Sequence, residues 1–189
     1  MLPTAFLPSG AYRSSTIDKA RGYRLLVHAE IEAFLEEAAR NLAVAQVRAW
    51  KLTRKATDTL VCFLAFYHTG WVDDDSDPVN PPVSRPKVKD HVNEVVDIAI
   101  RQYLAIISSN HGIRRDNLKK LLWPIGIRPE DLDEAWLIEM DQYGKYRGEV
   151  AHQSFKTHQP IDPRTELDTV GRLVIGLETV DELLEKMSA

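Results

Sequence analysis

Apolar side chains recur along this chain at the three- and four-residue spacing of amphipathic helices. Three stretches show the spacing most clearly: Ile31, Phe34, Leu35, Ala38, Leu42 and Ala45; Val92, Val95, Val96, Ala99, Tyr103 and Ile106; and Leu167, Val170, Val174, Leu177, Val180, Leu184 and Met187. Strict alternation of apolar and polar residues, the pattern of a half-buried strand, is hard to find. The periodicity therefore predicts helices and gives no support for strands.

The ten prolines leave four long windows that contain no proline: 9–77, 87–123, 130–159 and 164–189. Because a proline inside a helix costs about 3 kcal/mol, these windows favour long helices separated by turns. Shorter helices are expected at 54–68 and from Asp116 to Trp123. We predict one all-α bundle of five or six helices over 15–189, with an N-terminal arm at 1–14 and a longer loop at 70–87.

Helix ends are marked by residues that suit caps. Ser15 or Thr16 is expected to open the first helix, and Gly112 to close the helix that ends near Asn110. Asp162 precedes Pro163, which places a capping carboxylate directly before a proline at the first helical position.

The composition is that of one globular domain. The chain has 189 residues, 44% of them hydrophobic, and a net charge of −4. It contains a single cysteine, which excludes a disulfide framework and fits a reducing compartment. Cys62 lies in the apolar run 60–64 and is expected in the core. Because neither a targeting segment nor a membrane span is apparent, we expect a cytoplasmic protein with no membrane partner.

Metal and nucleotide-cofactor sites find no support in the sequence. Asp73, Asp75 and Asp77 imitate the opening of a calcium loop, but Pro78 and Ser84 occupy the positions that require glycine and glutamate. Glycine-rich phosphate loops are missing, and the six histidines are not paired at helical spacing. We therefore predict neither a metal nor a cofactor.

The segment 141–153 departs from an ordinary amphipathic helix. On a helical wheel Gly144, Gly148 and Ala151 form a strip without bulky side chains, with Arg147 on one edge and His152 on the other. Small residues four apart allow another helix to approach closely. If the second helix is the same segment of a two-fold partner, two arginines and two histidines meet in one cleft. These three small residues are therefore our predicted dimer contacts.

The arginine and histidine pair suits metal-free cleavage of RNA. Histidine moves protons near neutral pH, and arginine binds phosphate and stabilises its developing charge. The spacing also fits a structural alternative, in which His152 interacts with the helix dipole and Arg147 forms a salt bridge. Residue spacing leaves both interpretations open.

Four segments of this chain resemble the RiboL-PSP-like branch of the HEPN superfamily. They are, in chain order, His28-Ala-Glu-Ile-Glu-Ala-Phe-Leu35, Asn117-Leu-Lys-Lys-Leu-Leu-Trp-Pro-Ile-Gly126, Arg147-Gly-Glu-Val-Ala-His152 and Pro160-Ile-Asp-Pro163. The third segment matches the superfamily's motif, an arginine followed after four to six residues by a histidine near the end of a late helix. The resemblance spans roughly residues 15–187.

This resemblance implies an all-α domain that dimerises and forms a metal-independent endoribonuclease site. It implies that Arg147 contacts the scissile phosphate and that His152 acts in proton transfer or in positioning the phosphate. It also implies a role in toxin–antitoxin or antiviral defence, with RNA as substrate and an antitoxin or other defence protein as a possible partner.

Gly148 departs from the family pattern, which usually has a polar residue directly after the arginine. It keeps open a second interpretation, a non-catalytic HEPN-like module that binds RNA or protein. A third is a bundle that neutralises or scaffolds a toxin. Glu32 is either a supporting polar group or a solvent-exposed glutamate.

Short basic stretches interrupt the acidic total. They comprise Arg48, Lys51, Arg54 and Lys55; Arg114, Arg115, Lys119, Lys120 and Arg128; and Lys145, Arg147 and Lys156. We predict that Lys145, Lys119 and Lys120 bind RNA, with a solvated helix face as the alternative. The net charge then excludes only a broad, non-specific coating of nucleic acid.

Overall fold

A computed structural model describes residues 2–67, 88–152 and 161–188 of the chain. For 88–91 and 147–152 the description covers the backbone and not the side chains. The predicted loop at 70–87, with its aspartates 73, 75 and 77, lies outside the described residues, as does Lys156.

The described residues form six α-helices and two short 3-10 turns, and they contain no strand. The helices are α1 (Ser14–Thr53), α2 (Asp58–Phe66), α3 (Val88–Ser108), α4 (Arg115–Leu122), α5 (Glu134–His152) and α6 (Pro163–Ser188). The all-α prediction is therefore confirmed. No helix in these parts of the chain is both long enough and apolar enough to cross a membrane.

Helix α1 ends where its backbone changes hand. Arg54 adopts a left-handed conformation, with φ of 61°, so the chain turns before α2 begins. The Thr57 hydroxyl then accepts a hydrogen bond from the Leu60 amide and caps α2. The start of α1 differs from the prediction, because Arg13 is its N-cap residue and makes no side-chain capping bond. Ser15 and Thr16 lie inside the helix instead.

Asp162 caps α6 as predicted. Its Oδ1 accepts hydrogen bonds from the backbone amides of Arg164 at 3.0 Å and Thr165 at 2.8 Å, and Pro163 is the first helical residue. The predicted cap at Gly112 is wrong, because α3 already ends at Ser108.

Helix α1 is the central element of the bundle, and it contacts all five other helices. Its buried face packs with the apolar faces of α3, α5 and α6 in one core. Members of that core include Ile31, Leu35, Ala39, Leu42, Ala99, Tyr103, Ile107, Leu137, Met140, Val170, Leu173 and Val180. Because α1, α5 and α6 also contact each other, α5 is fixed on two sides by long helices.

Cys62 is exposed, so its predicted place in the core is wrong. The buried residues of α2 are Thr59, Leu60 and Phe63, and Cys62 lies off that face. In an apolar run of five residues within a short helix, only one side reaches the core.

Two glycines of α6 give a direct test of this packing. A Cβ at Gly176 would lie 2.2 Å from the Trp136 indole, whose Nε1 donates to the Leu173 carbonyl at 3.0 Å. A Cβ at Gly171 would meet nothing within 4 Å. We expect Gly176→Ala to lower the free energy of unfolding by roughly 1–3 kcal/mol through overpacking. We expect Gly171→Ala to raise it by up to about 1 kcal/mol through helix propensity.

Urea denaturation of both variants measures these changes. Equal effects of the two substitutions would contradict the close approach of α5 to α6 at Trp136.

Candidate functional site

The motif residues lie in the last two turns of α5. This helix begins at Glu134 and ends at His152. The side chain of Asp133, the residue before the helix, accepts a 2.7 Å hydrogen bond from the Trp136 amide. Arg147, Gly148, Ala151 and His152 are all part of it, and their side chains lie outside the described set. The structure therefore confirms a late helix at this segment. The described contacts near the site are those that α5 makes in the turns before Arg147.

The buried face of α5 leads directly to the motif. Trp136, Met140 and Tyr143 are buried along it. Position 147 follows Met140 by seven residues and Tyr143 by four, so the α-helical repeat places its Cα on the same face of the helix. The motif arginine is therefore one turn beyond the last described core residue of α5.

Gly144 accommodates a neighbour from its own chain. A Cβ at this position would lie 2.8 Å from Cγ of Arg114 and 3.4 Å from both the Arg114 amide nitrogen and Cγ1 of Ile113. The lack of a side chain thus allows α5 to approach the segment that leads into α4. Dimer contacts at Gly144, Gly148 and Ala151 stay a prediction, and at Gly144 a partner would have to share the space with Arg114.

Asp141 anchors the same side of α5 to the start of α4. Its Oδ1 accepts hydrogen bonds from Nε of Arg114 at 3.1 Å and from the Arg115 backbone amide at 3.3 Å. These bonds, the one from the Arg114 side chain foremost, hold the pKa of Asp141 below its usual value against the opposite effect of partial burial. The carboxylate therefore stays charged at neutral pH beside the positive end of α4.

The opposite side of α5 is anchored by a buried carboxylate. The Glu166 side chain is fully buried, and both its oxygens accept hydrogen bonds from Nε of Arg24 at 3.0 Å. Its Oε2 also accepts a hydrogen bond from Nη2 of Arg24, and Oε1 accepts one from the Tyr143 hydroxyl at 3.0 Å. We call Arg24, Glu166 and Tyr143 the anchor cluster. It joins α1, α6 and α5 at one point, four residues before Arg147.

Burial, reinforced by the Glu166 carboxylate, raises the pKa of the Tyr143 phenol. The same two causes raise the pKa of Tyr23. Tyr143 therefore remains protonated at neutral pH and keeps its hydrogen to donate to Glu166.

Glu32 lies one helical turn after a buried histidine. Its Oε2 is 3.5 Å from Nδ1 of His28, and the Glu32 side chain is only 18% exposed. Of the two sequence-based alternatives for Glu32, a solvent-exposed glutamate fits this partly buried position less well. Its role as a supporting group stays a prediction.

The three predicted RNA-binding lysines do not lie together. Lys145 is exposed on α5, two residues before Arg147. Lys119 lines a shallow groove with Leu137, and ten residues of helix separate Leu137 from Arg147, which corresponds to about 15 Å. Lys120 is exposed next to Lys119. Of these three lysines, Lys145 is therefore the nearest to the motif along α5.

Acidic partners occupy much of the basic stretch at 114–128. Arg114 pairs with Asp141, and Arg115 pairs with Glu134 at 2.6 Å. Arg128 lies within 4 Å of Glu130 and Asp131. These ion pairs serve helix packing and turns, so the run presents less free positive charge than its sequence indicates.

The anchor cluster is the feature that sequence reasoning missed. Arg24 and Glu166 lie 142 residues apart, so no local pattern in the sequence indicates their contact. The one available sign was Glu166, an acid at spacing of four from Val170 on the apolar face of α6. Among the described residues no group of three or more His, Cys, Asp or Glu side chains has an arrangement that could hold a metal ion.

Comparison with known proteins gives one family. The family model described as RiboL-PSP-HEPN matches residues 7–185. No curated protein and no solved structure shows a significant match to the chain.

The anchor cluster generates a prediction about stability. Glu166→Leu leaves Arg24, with a side chain only 16% exposed, without its carboxylate, and we expect the free energy of unfolding to fall by about 2–4 kcal/mol. Replacing both partners, Arg24→Met with Glu166→Leu, is expected to recover most of that loss, because no unpaired charge remains. Denaturant titration of the single and double variants measures both values.

Glu139→Leu is the matched control, because Glu139 pairs with Arg172, which is 56% exposed. Its effect should be much smaller than that of Glu166→Leu. Equal losses for the two single variants would contradict the buried character of the Arg24–Glu166 pair.

Proposed function

This chain belongs to the RiboL-PSP-HEPN family, and on that premise we propose that it is a metal-independent endoribonuclease that acts as a homodimer. The main observation is that Arg147-x4-His152 occupies the last two turns of α5, the fifth of the six helices in the described residues, and that the chain matches the family over residues 7–185. HEPN domains are often ribonucleases, and Arg147 and His152 stand at the motif positions.

The proposed reaction uses the RNA's own 2′-hydroxyl as nucleophile. The bond from O2′ to phosphorus forms as the bond from phosphorus to O5′ breaks, which leaves a 2′,3′-cyclic phosphate and a 5′-hydroxyl. One proton leaves the 2′-hydroxyl and one is delivered to O5′. His152 moves one or both of these protons, and Arg147 stabilises the negative charge on the phosphate. DNA lacks the nucleophile and is not cleaved.

Dimerisation would supply two copies of each motif residue to one cleft. Either histidine accepts the proton of the 2′-hydroxyl, and the same or the other histidine donates a proton to O5′, so one intact copy is sufficient for cleavage. The small residues Gly148 and Ala151 in the last turns of α5 support close contact between two copies of this helix. A two-fold axis through this contact makes it isologous, with the same surface on both partners.

A second candidate function is supported by Gly148. It stands directly after Arg147, where the family usually provides a polar group, so a catalytic or orienting side chain is missing at that position. A non-catalytic module would keep the fold and bind RNA or a protein, such as an antitoxin or another member of a defence system. If the bound partner is a toxin, such a module would neutralise or scaffold it.

Substitution of the motif tests the nuclease proposal. We expect His152→Ala and Arg147→Ala each to reduce cleavage of single-stranded RNA by at least about 100-fold, because each removes a group that acts in the transition state. The helical circular dichroism signal and the dimer should be unchanged. Cleavage in the presence of a chelator, with product ends analysed for the 2′,3′-cyclic phosphate, is the measurement.

His111→Ala is the matched control, because His111 is an exposed histidine outside the motif and should not affect cleavage. Activity that survives both motif substitutions, or that requires a divalent cation, would rule out the proposed site. Salt-dependent binding of RNA by the wild type without any cleavage would favour the second candidate function.

A further inference from the structure

Tyr146 is an exposed aromatic residue directly beside the motif. It is 47% exposed, and it precedes Arg147 in α5. Consecutive helical positions differ by about 1.5 Å along the axis and about 100° around it, so position 146 lies beside position 147 on an adjacent face of the helix. The bundle does not bury this ring, although the ring of Tyr143, one turn earlier, is 2% exposed.

The Tyr146 ring is held next to a fixed cation. Cζ of Arg24 lies 5.8 Å from the centre of the Tyr146 ring and 5.4 Å from that of Tyr143. The guanidinium is itself restrained by the two oxygens of buried Glu166. A cation at this distance is attracted to the aromatic face, which limits the motion of the exposed ring. Tyr146 is therefore pre-organised by the anchor cluster although it lies at the surface.

Basic residues precede and follow this ring in the sequence, and Glu149 is the acid of the next helical turn. Lys145, the preceding residue, is exposed, and among the described residues no carboxylate lies within ion-pair distance of it. Arg147 follows on the other side in sequence. An exposed aromatic ring between a lysine and an arginine combines a stacking surface with contacts for phosphate.

From this arrangement we propose that Tyr146 forms a subsite that stacks one unpaired nucleobase of the RNA, next to the phosphate bound by Arg147. The base stacks on the part of the ring that Arg24 leaves open, and Lys145 contacts the neighbouring phosphate. This inference rests on the proposed function, which makes RNA the substrate. It adds that the substrate is single-stranded at this nucleotide, because a paired base inside a helix cannot reach the ring.

The subsite would select structure more than sequence. Every nucleobase has an aromatic face, so stacking discriminates weakly among the four bases. A duplex presents stacked bases and is excluded unless it opens. The expected preference is therefore for loops, bulges and single strands, with cleavage beside the stacked nucleotide.

A fluorescent base analogue tests the subsite without requiring cleavage. The probe is a short single-stranded oligoribonucleotide with 2-aminopurine at one position, whose fluorescence is quenched when the base stacks. Binding is measured in the His152→Ala background, which keeps the RNA intact, and with the probe base scanned along the strand. When Tyr146 is intact, we expect the 2-aminopurine fluorescence to be quenched at one position of the strand. We expect Tyr146→Ala to abolish this quenching and to weaken binding by roughly 5- to 100-fold.

Tyr146→Trp should retain quenching and affinity, since it keeps an aromatic face. Phe66→Ala is the matched control, because Phe66 is also 47% exposed but belongs to α2. Tyr146→Ala should not unfold the chain, because the residue is exposed and alanine favours a helix. In the cleaving protein, Tyr146→Ala should raise KM for single-stranded RNA more than it lowers kcat.

This proposal would be overturned if the protein with Tyr146 and the Tyr146→Ala variant bound the probe with equal affinity and quenched it equally. That result would count against the subsite even if the wild type cleaves RNA. Loss of binding with Tyr146→Ala in a protein that never cleaves would support the stacking subsite and contradict only the nuclease proposal. The two inferences therefore fail separately.

Discussion

The buried carboxylate of Glu166 is the constraint on which the geometry near the motif depends. A charged group with no exposed surface must be paired and hydrogen-bonded, and Arg24 and Tyr143 meet that requirement together. Each of the three residues comes from a different helix, so the interaction forms only when α1, α5 and α6 have one mutual arrangement. Such a pair often contributes little net stability relative to apolar residues of similar volume, but removing one partner leaves a buried charge unpaired.

The rest of α5 is organised around that point. On its other side, Asp141 binds the start of α4, and Gly144 allows the backbone before α4 to come close. The helix is therefore held on two sides within the two turns that precede Arg147. In the proposed nuclease, an element held in this way would need little rearrangement to present Arg147 and His152 to a substrate.

Periodicity and proline spacing predicted an all-α bundle of five or six helices, and the pair Asp162-Pro163 predicted the cap of α6, since these features depend on residues that are close in sequence. These patterns failed where tertiary contacts decide. The Arg24–Glu166 pair spans 142 residues, and the exposure of Cys62 depends on which face of α2 meets the core. Gly144 was predicted to contact a partner chain. In the structure, a Cβ added at Gly144 would meet atoms of Arg114 and Ile113 of its own chain. Arg114 and Arg115 belong to a basic stretch of the sequence, but acids from α5 pair with them.

In the proposed enzyme, Arg147 and His152 from two chains act in one shared cleft. Co-expression of an Arg147→Ala chain and a His152→Ala chain with different tags allows their mixed dimer to be purified. If the cleft is shared, the mixed dimer has one intact arginine and one intact histidine and should cleave RNA well above either inactive homodimer. A mixed dimer as inactive as both homodimers, beside an active wild type, would contradict a shared site.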